Sequence, residues 1–119
     1  MKTLLVVDDE KNIRDLYKKT FEDENYKVLL AETGNECLEL AAKNKLDLII
    51  LDIRLPDMNG MEVLERLSVS GKDVPPVILN SAYSGYEHDN SVWLAEKYLI
   101  KSGDLSELKN TVKTVTERK

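Results

Sequence analysis

The sequence is poor in the features that mark secreted, membrane-bound or nucleic-acid-binding chains. It has one cysteine, so an intramolecular disulfide cannot form, and we expect a reducing, cytoplasmic location. No apolar run approaches the roughly 20 residues of a membrane span, and no basic stretch followed by an apolar one marks a signal peptide. Net positive charge is also lacking, and the formal charge of -5 argues against direct binding to nucleic acid or to anionic lipid.

What remains is the composition of one ordinary globular domain. The 119 residues are 42% hydrophobic and 33% charged, which suffices for a single buried core and leaves no room for a second domain. We therefore assign residues 1–119 to one domain. The first apolar run follows Met1 almost at once, which suits either a stand-alone protein or a domain excised from a longer one.

Short apolar runs alternate with longer amphipathic segments along the chain. The runs predict strands at residues 4–7, 28–31, 48–51, 77–79 and 98–100. All five are almost continuously apolar, a pattern typical of parallel strands that are buried on both faces.

Helical periodicity fills the intervals between these runs. The first helix is predicted by an apolar stripe of Ile13, Leu16, Tyr17, Thr20 and Phe21. Weaker helices are predicted at residues 34–43 and 61–67. The C-terminal helix, which Asp104 can cap, has a stripe of Leu105, Leu108, Val112 and Val115.

Five such βα units predict a doubly wound α/β fold around a five-stranded parallel sheet. The helix between the fourth and fifth strands breaks the pattern, because residues 84–91 are almost wholly polar. We expect this fourth helix to be short or irregular and anchored by Trp93. In doubly wound sheets, ligands bind beyond the carboxyl ends of the strands, so the residues that follow each strand matter most.

The ends of the predicted strands carry the candidate chemistry. Asp8, Asp9 and Glu10 follow the first strand, Asp52 the third, Ser81 the fourth and Lys101 the fifth. Aspartates crowded at one edge would repel by roughly 4 kcal/mol per pair at about 4 Å, so they need a cation or raised pKa values. Mg²⁺ suits such a site, because it takes one or two carboxylates and completes its shell with water and phosphate oxygens. Lys101 would add a positive charge, Ser81 a hydrogen-bond donor and Asp52 a nucleophile for an aspartyl-phosphate.

Four segments at these strand ends resemble the receiver domains of two-component response regulators. They are Val6-Val7-Asp8-Asp9-Glu10, Leu51-Asp52-Ile53-Arg54-Leu55-Pro56-Asp57-Met58-Asn59-Gly60, Asn80-Ser81-Ala82 and Tyr98-Leu99-Ile100-Lys101. The resemblance covers essentially the whole chain. It implies a flavodoxin-like fold, (βα)5, with the strand order 2-1-3-4-5.

The resemblance also implies a phosphorylation switch. Asp52 would accept a phosphoryl group from a sensor histidine kinase or a histidine phosphotransfer protein. Mg²⁺ would be bound by Asp9, Asp52 and the backbone carbonyl of Arg54, with Asp8 acting mostly through water. Lys101 would contact the phosphoryl group.

The same resemblance assigns the response to phosphorylation. Ser81 would turn towards the phosphoryl group and Tyr98 would change rotamer inward, a population shift between two states. Arg54 and Tyr83 would tune the access of water. The helix before the fifth strand, that strand and the C-terminal helix would form an output face for a downstream effector domain or protein.

Two positions depart from the family pattern. Ser102 stands where a proline, in cis, commonly follows the lysine, so we expect a trans Lys101–Ser102 peptide bond. Ser81 replaces a more frequent threonine and loses a methyl group that would stiffen the rotamer.

Simpler roles fit several other residues. Glu10 more readily begins the first helix than binds metal, and Gly60 serves backbone geometry. Cys37 reads as a small buried residue and His88 as a surface residue.

Three alternative functions share parts of the pattern. An intermediate phosphocarrier in a phosphorelay has the same residues. A flavodoxin-like carrier of flavin mononucleotide would need a hydroxyl-rich or amide-rich loop where Asp8, Asp9 and Glu10 stand. A metal-dependent phosphatase with Asp8 as nucleophile would leave Asp52 unexplained. We expect no enzymatic activity beyond promotion of the chain's own phosphorylation and dephosphorylation.

Overall fold

The computed structural model describes residues 1–70, 73–82 and 94–118. Within these ranges the strands are β1 (Thr3–Val7), β2 (Lys27–Ala31), β3 (Leu48–Leu51), β4 (Val77–Ser81) and β5 (Lys97–Ile100). The helices are α1 (Lys11–Glu22), α2 (Gly34–Lys43), α3 (Gly60–Ser68) and α4 (Ser106–Glu117). Each of these elements had been expected from its apolar run or stripe, and the bounds agree to within about two residues.

All five strands form one parallel sheet in the order β2-β1-β3-β4-β5. The doubly wound fold and the strand order implied by the resemblance are confirmed. Alternate residues of the central strands face opposite cores, as the pleat requires. One core contains side chains of α2 and α3, and the other contains side chains of α1 and α4. Within the described residues, each face of the sheet is therefore covered by two helices.

Burial falls from the middle of the sheet to its edges. All four residues of β3 and all five of β4 are buried, whereas β5 buries only Leu99 and leaves Ile100 44% exposed. The expectation that all five strands are buried on both faces is wrong for this edge strand. A continuous apolar run does not distinguish a central strand from an edge strand.

The buried face of α1 differs from the predicted stripe. Leu16 is 46% exposed, while Arg14, Tyr17 and Phe21 are buried. Arg14 can be buried because its guanidinium finds hydrogen-bond acceptors in two loops. The stripe is thus rotated by about one position from the one that the apolar residues predict.

Several smaller expectations are met. The Asp104 carboxylate accepts a hydrogen bond from the N–H of Ser106, the first residue of α4 (2.9 Å), although the N-cap position itself is held by Leu105, whose side chain makes no capping bond. Cys37 is a buried free thiol, and burial raises its pKa to about 12. No peptide bond within the described ranges is cis, so the Lys101–Ser102 bond is trans.

Some predictions fall outside the described part of the chain. The structure does not describe residues 83–93. This range contains the expected short or irregular fourth helix and three residues named above, Tyr83, His88 and Trp93. None of the helices that it does describe has the length and apolar character needed to cross a membrane.

Candidate functional site

The carboxyl edge of the sheet brings the predicted residues together through the backbone ladder. The N–H of Asp8 donates to the carbonyl of Ala31 (3.1 Å), and the N–H of Asp52 donates to the carbonyl of Val7 (3.0 Å). Each strand therefore continues its pairing for one residue past its end. This pairing places Asp8 and Asp52, which follow adjacent parallel strands, side by side.

Lys101 completes a buried group of three charges at this edge. Its Nζ lies 2.7 Å from Oδ2 of Asp8 and 3.2 Å from Oδ2 of Asp52. The three side chains are 12%, 3% and 7% exposed, respectively. A single ammonium thus bridges two carboxylates, and the shorter contact is with Asp8 and not with Asp52.

The charges alter the titration of two members of this group. Burial raises the pKa of Asp52, and the nearby charge of Asp8 adds to the rise, although Lys101 opposes it. Burial alone would lower the pKa of Lys101, but its hydrogen bond to Asp8 and the charges of both aspartates raise it. Lys101 is therefore held as a cation between the two acids.

The loop after β1 supplies the remaining acids. One carboxylate oxygen from each of Asp8, Asp9 and Glu10 lies within 4.8 Å of the other two. Asp9 and Glu10 are exposed, and the N–H of Glu10 donates to Oδ1 of Asp8 (2.9 Å). This set of oxygen donors suits a hard divalent cation that keeps part of its water shell.

Glu10 lies where it was predicted, at the start of α1, but its carboxylate faces the other acids of the loop after β1. It stands at the N-cap position of α1, as predicted, but its carboxylate makes no capping hydrogen bond within the described part of the chain. Its oxygen lies instead with those of Asp8 and Asp9.

The other predicted residues lie around the charged group. Ser81 ends β4, is fully buried, and accepts a hydrogen bond at its carbonyl from the N–H of Lys101 (2.7 Å). Arg54 is exposed and pairs with Asn59 in an isolated antiparallel bridge. Tyr98 is half-buried against the core on the α2 and α3 side of the sheet. Tyr83 is outside the described residues.

Arg14 is a site residue that the sequence analysis missed. Its Nη1 donates to the backbone carbonyl of Asp8 and its Nη2 to Oε1 of Glu32, both at 2.9 Å. The guanidinium thus fixes the loop after β1 against the loop after β2. Its position on α1, three residues before Tyr17 and seven before Phe21, is the signal that could have revealed it, since this spacing places it on the buried face.

A buried polar pair lies beneath the site. The Nδ2 of Asn80 donates to the hydroxyl of Tyr17 (2.8 Å), which connects α1 to the residue before Ser81. Burial raises the pKa of Tyr17, and the hydrogen bond from Asn80 opposes the rise. The sequence alone predicts Tyr17 only as part of an apolar stripe.

Gly60 lies against the backbone that carries Asp52. Its N–H donates to the carbonyl of Ile53 (2.6 Å), and a Cβ at this position would come within 2.5 Å of the Asp52 carbonyl oxygen. The start of α3 can approach this backbone only because the residue has no side chain. The structural role expected for Gly60 is therefore borne out.

Comparison with known proteins gives the same picture for nearly the whole chain. Residues 4–113 match the model of the response regulator receiver domain family. The response regulator MprA of Mycobacterium sp. (strain KMS) is 33% identical over 116 residues, which are 97% of this chain but only 50% of that protein. The sporulation initiation phosphotransferase F of Bacillus subtilis (strain 168) is 31% identical over 112 residues, which are 92% of this chain and 90% of that protein.

Solved structures of similar proteins include two of one regulator. The response regulator TrrA from Thermotoga maritima in complex with Mg²⁺-BeF is 43% identical, with a TM-score of 0.91 over 97% of this chain and 99% of that one. TrrA in complex with the histidine kinase ThkA gives a TM-score of 0.88 over 97% of this chain and 98% of that one, again with 43% identity.

Proposed function

The chain belongs to the response regulator receiver domain family of two-component systems, and on that premise we propose that Asp52 is its phosphoacceptor. The observation that carries the proposal is the position of Lys101 Nζ, between the buried carboxylates of Asp8 and Asp52 at the carboxyl edge of the sheet. A nucleophilic carboxylate with a fixed cation beside it is the arrangement that transfer of a phosphoryl anion requires.

The proposed step is a displacement at phosphorus. A carboxylate oxygen of Asp52 forms a bond to the phosphorus of a phosphohistidine while the bond from phosphorus to the imidazole nitrogen breaks. The imidazole leaves with the electron pair and takes up a proton from water. Lys101, already oriented by Asp8, binds an oxygen of the transferred group and offsets its negative charge.

The residues present fit a magnesium ion. Asp9, Asp52 and the backbone carbonyl of Arg54 would hold it, with Asp8 acting mostly through water, and the oxygens of Asp8, Asp9 and Glu10 already lie within 4.8 Å of one another. When bound, the ion would neutralise charge on the phosphoryl oxygens. In support, TrrA has been crystallised with Mg²⁺-BeF.

The response to phosphorylation would pass through β4 and β5. Ser81, buried next to Lys101 in the ladder, would turn towards the phosphoryl group, and Tyr98 would move further inward from its half-buried position. Arg54 and Tyr83 would tune the access of water. The exposed position of Arg54 beside the Asp52 loop is compatible with this role.

The proposed donor is a sensor histidine kinase or a histidine phosphotransfer protein, and the proposed recipient of the signal is an effector domain or protein. The complex of TrrA with a histidine kinase supports the proposed donor.

Residues 1–119 would form one receiver domain, since the family model matches residues 4–113. The buried free thiol of Cys37 suits the cytoplasmic location predicted from the sequence. Chemistry would be limited to the chain's own phosphorylation and dephosphorylation.

A role as an intermediate phosphocarrier is the second candidate. It is suggested by the similarity to the sporulation initiation phosphotransferase F of Bacillus subtilis, which is 31% identical over 92% of this chain. Transfer of phosphate from the phosphorylated chain to a histidine phosphotransfer protein would distinguish this role from a terminal switch.

The test of the phosphoacceptor is incubation with a small acyl phosphate and Mg²⁺, followed by intact-mass measurement. The wild type should gain one phosphoryl group that is lost in mild base, and the Asp52→Asn variant should gain none. Asp15→Asn is the matched control, because Asp15 is an exposed acid on α1, paired with Lys11 (2.6 Å), and should leave labelling unchanged. Undiminished labelling of Asp52→Asn would refute the assignment.

A further inference from the structure

The loop between β3 and α3 is closed at its base. The N–H of Gly60 donates to the carbonyl of Ile53, and Arg54 and Asn59 form an antiparallel bridge just inside that contact. The side chain of Asn59 also accepts a hydrogen bond from the N–H of Met61 (2.7 Å), which caps α3. These contacts fix the two ends of the loop relative to each other. They do not fix its tip relative to the rest of the site.

Asp57 fixes the tip. Its Oδ1 accepts the N–H of Gly34 (2.8 Å) and its Oδ2 accepts the N–H of Asn35 (2.9 Å). These are the first two residues of α2, whose N–H groups have no acceptor within their own helix. Both oxygens of one carboxylate are thus used to join the loop to a helix that begins more than twenty residues earlier.

The neighbour of Asp57 adds an apolar contact at the same place. A Cβ on Gly34 would lie 2.5 Å from Cγ and 2.8 Å from Sδ of Met58, so the thioether packs directly on the helix backbone. The tip of the loop is therefore held to α2 by a polar and an apolar contact.

Asp57 is not needed simply to cap α2. Thr33 already occupies the N-cap position, and its hydroxyl accepts the N–H of Glu36 (3.0 Å), while its carbonyl accepts the N–H of Cys37 (3.0 Å). Backbone hydrogen bonds, led by those from Asn35 and Gly34, outweigh desolvation and lower the pKa of Asp57. The carboxylate stays ionised and available as a double acceptor at neutral pH.

We propose that Asp57 is a positioning residue for the magnesium site, which holds the Arg54 carbonyl in place by anchoring the loop to α2. This inference rests on the proposed function, since it takes Arg54 as a source of a metal ligand. Mg²⁺ demands nearly ideal octahedral geometry at about 2.0–2.1 Å, so a small displacement of one carbonyl lowers affinity. Groups that orient ligands in this way typically change metal affinity by about tenfold or more.

The experiment is a calorimetric titration of Mg²⁺ into the full chain, with urea unfolding of each variant without metal. Asp57→Ala should raise the Kd for Mg²⁺ about tenfold. Thr33→Ala is the matched control, because it removes a cap of the same helix without touching the loop. Thr33→Ala should lower the urea midpoint about as much as Asp57→Ala does, and it should leave the Kd for Mg²⁺ within about twofold of the wild-type value.

A second variant and a second measurement guard against a fold defect. Asp57→Asn keeps one acceptor oxygen, so its Kd should lie between those of the wild type and Asp57→Ala. In protein without metal, the amide NMR signals of Arg54 and Leu55 should shift in the Asp57 variants and not in Thr33→Ala.

The outcomes separate the two proposals. A wild-type Kd in Asp57→Ala, or equal weakening in Asp57→Ala and Thr33→Ala, would overturn the positioning role and leave the magnesium site standing. Failure of the wild type itself to bind Mg²⁺ would overturn the metal part of the proposed function and the positioning role with it.

Discussion

The two central side chains of the site follow strands in different environments: Asp52 follows β3 and Lys101 follows β5. β3 lies in the middle of the sheet with all four residues buried, and the loop that follows it is fixed by Gly60 and Asp57. β5 lies at the edge, and the residues that follow Lys101 are exposed.

Packing therefore positions the carboxylate of Asp52, while charge positions the ammonium of Lys101. The backbone of Asp52 is surrounded by core and by the start of α3, so its carboxylate is directed by the fold. Lys101 has a long flexible side chain and directly follows an edge strand, and its Nζ lies where Asp8 and Asp52 attract it. β5 therefore contributes less to the core than β3 does, since only Leu99 of its four residues is buried.

The largest expected difference between the two strands is in stability, when one aliphatic side chain in each strand is truncated. Leu51→Ala in β3 should lower the free energy of unfolding by about 3 kcal/mol, because Leu51 is fully buried and the change leaves a cavity. Ile100→Ala in β5 should cost less than about 1 kcal/mol, because Ile100 is 44% exposed. Urea unfolding measures both, and equal losses would contradict the contrast.

A smaller effect is expected from adding one methyl group at the glycine that follows each strand, Gly60 at the start of α3 and Gly103 after β5. Gly60→Ala should cost about 2 kcal/mol, since the new Cβ would meet the backbone oxygen of Asp52 at 2.5 Å and the Cα of Ile53 at 2.9 Å. Gly103→Ala should be neutral or slightly stabilising, because a Cβ there would meet no atom of the described chain within 4 Å. Thermal unfolding of the two variants checks the difference, and a destabilised Gly103→Ala would show that the loop after β5 is also tightly packed.

The smallest expected effect concerns the charge of Asp52. Its folded-state pKa lies above the ordinary value of 3.8, so stability is lost as the pH rises from 3.8 to the raised pKa, where the unfolded chain releases the proton more readily than the folded one. Below the ordinary value both folded and unfolded states are protonated, and the cost disappears. Asp52→Asn should therefore raise the free energy of unfolding at neutral pH by on the order of 1 kcal/mol, with a gain that shrinks towards acid pH.

Urea unfolding without metal, at about pH 4 and about pH 7, measures this gain. Lys101 keeps its 2.7 Å contact with Asp8 in the variant, so the ammonium is not left unpaired. A variant that is less stable than the wild type at neutral pH would show that attraction to Lys101 outweighs the burial of Asp52.

The sheet and the identity of its functional edge follow from local features of the sequence. The run at residues 48–51 is too short for a helix and wholly apolar, so it predicts a buried parallel strand. Parallel strands end at one edge, and this geometry alone is enough to bring Asp8, Asp52 and Lys101 together.

Contacts that depend on the meeting of distant loops could not be predicted in the same way. Nothing near Asp57 in the sequence shows that its carboxylate accepts the N–H groups of Gly34 and Asn35. Spacing along α1 can place Arg14 on the buried face, but it does not reveal its partners, the Asp8 carbonyl and Glu32, which approach it only when the loops after β1 and β2 are in place. Apolar periodicity does not predict such partners, since it depends on hydrophobicity and not on the position of hydrogen-bond acceptors.

The strand order also determines when the site can exist during synthesis of the chain. Among the strands that the structure describes, β5 pairs only with β4, and Lys101 follows it late in the sequence. Until the ribosome has released β5, the nascent chain can contain the Asp8 and Asp52 carboxylates but not their bridging ammonium, and the apolar β4 has an open hydrogen-bonding edge that other chains can pair with. Docking of β5 covers the apolar edge of β4 and completes the charged group in the same folding event, so the site is assembled only when the last strand joins the sheet.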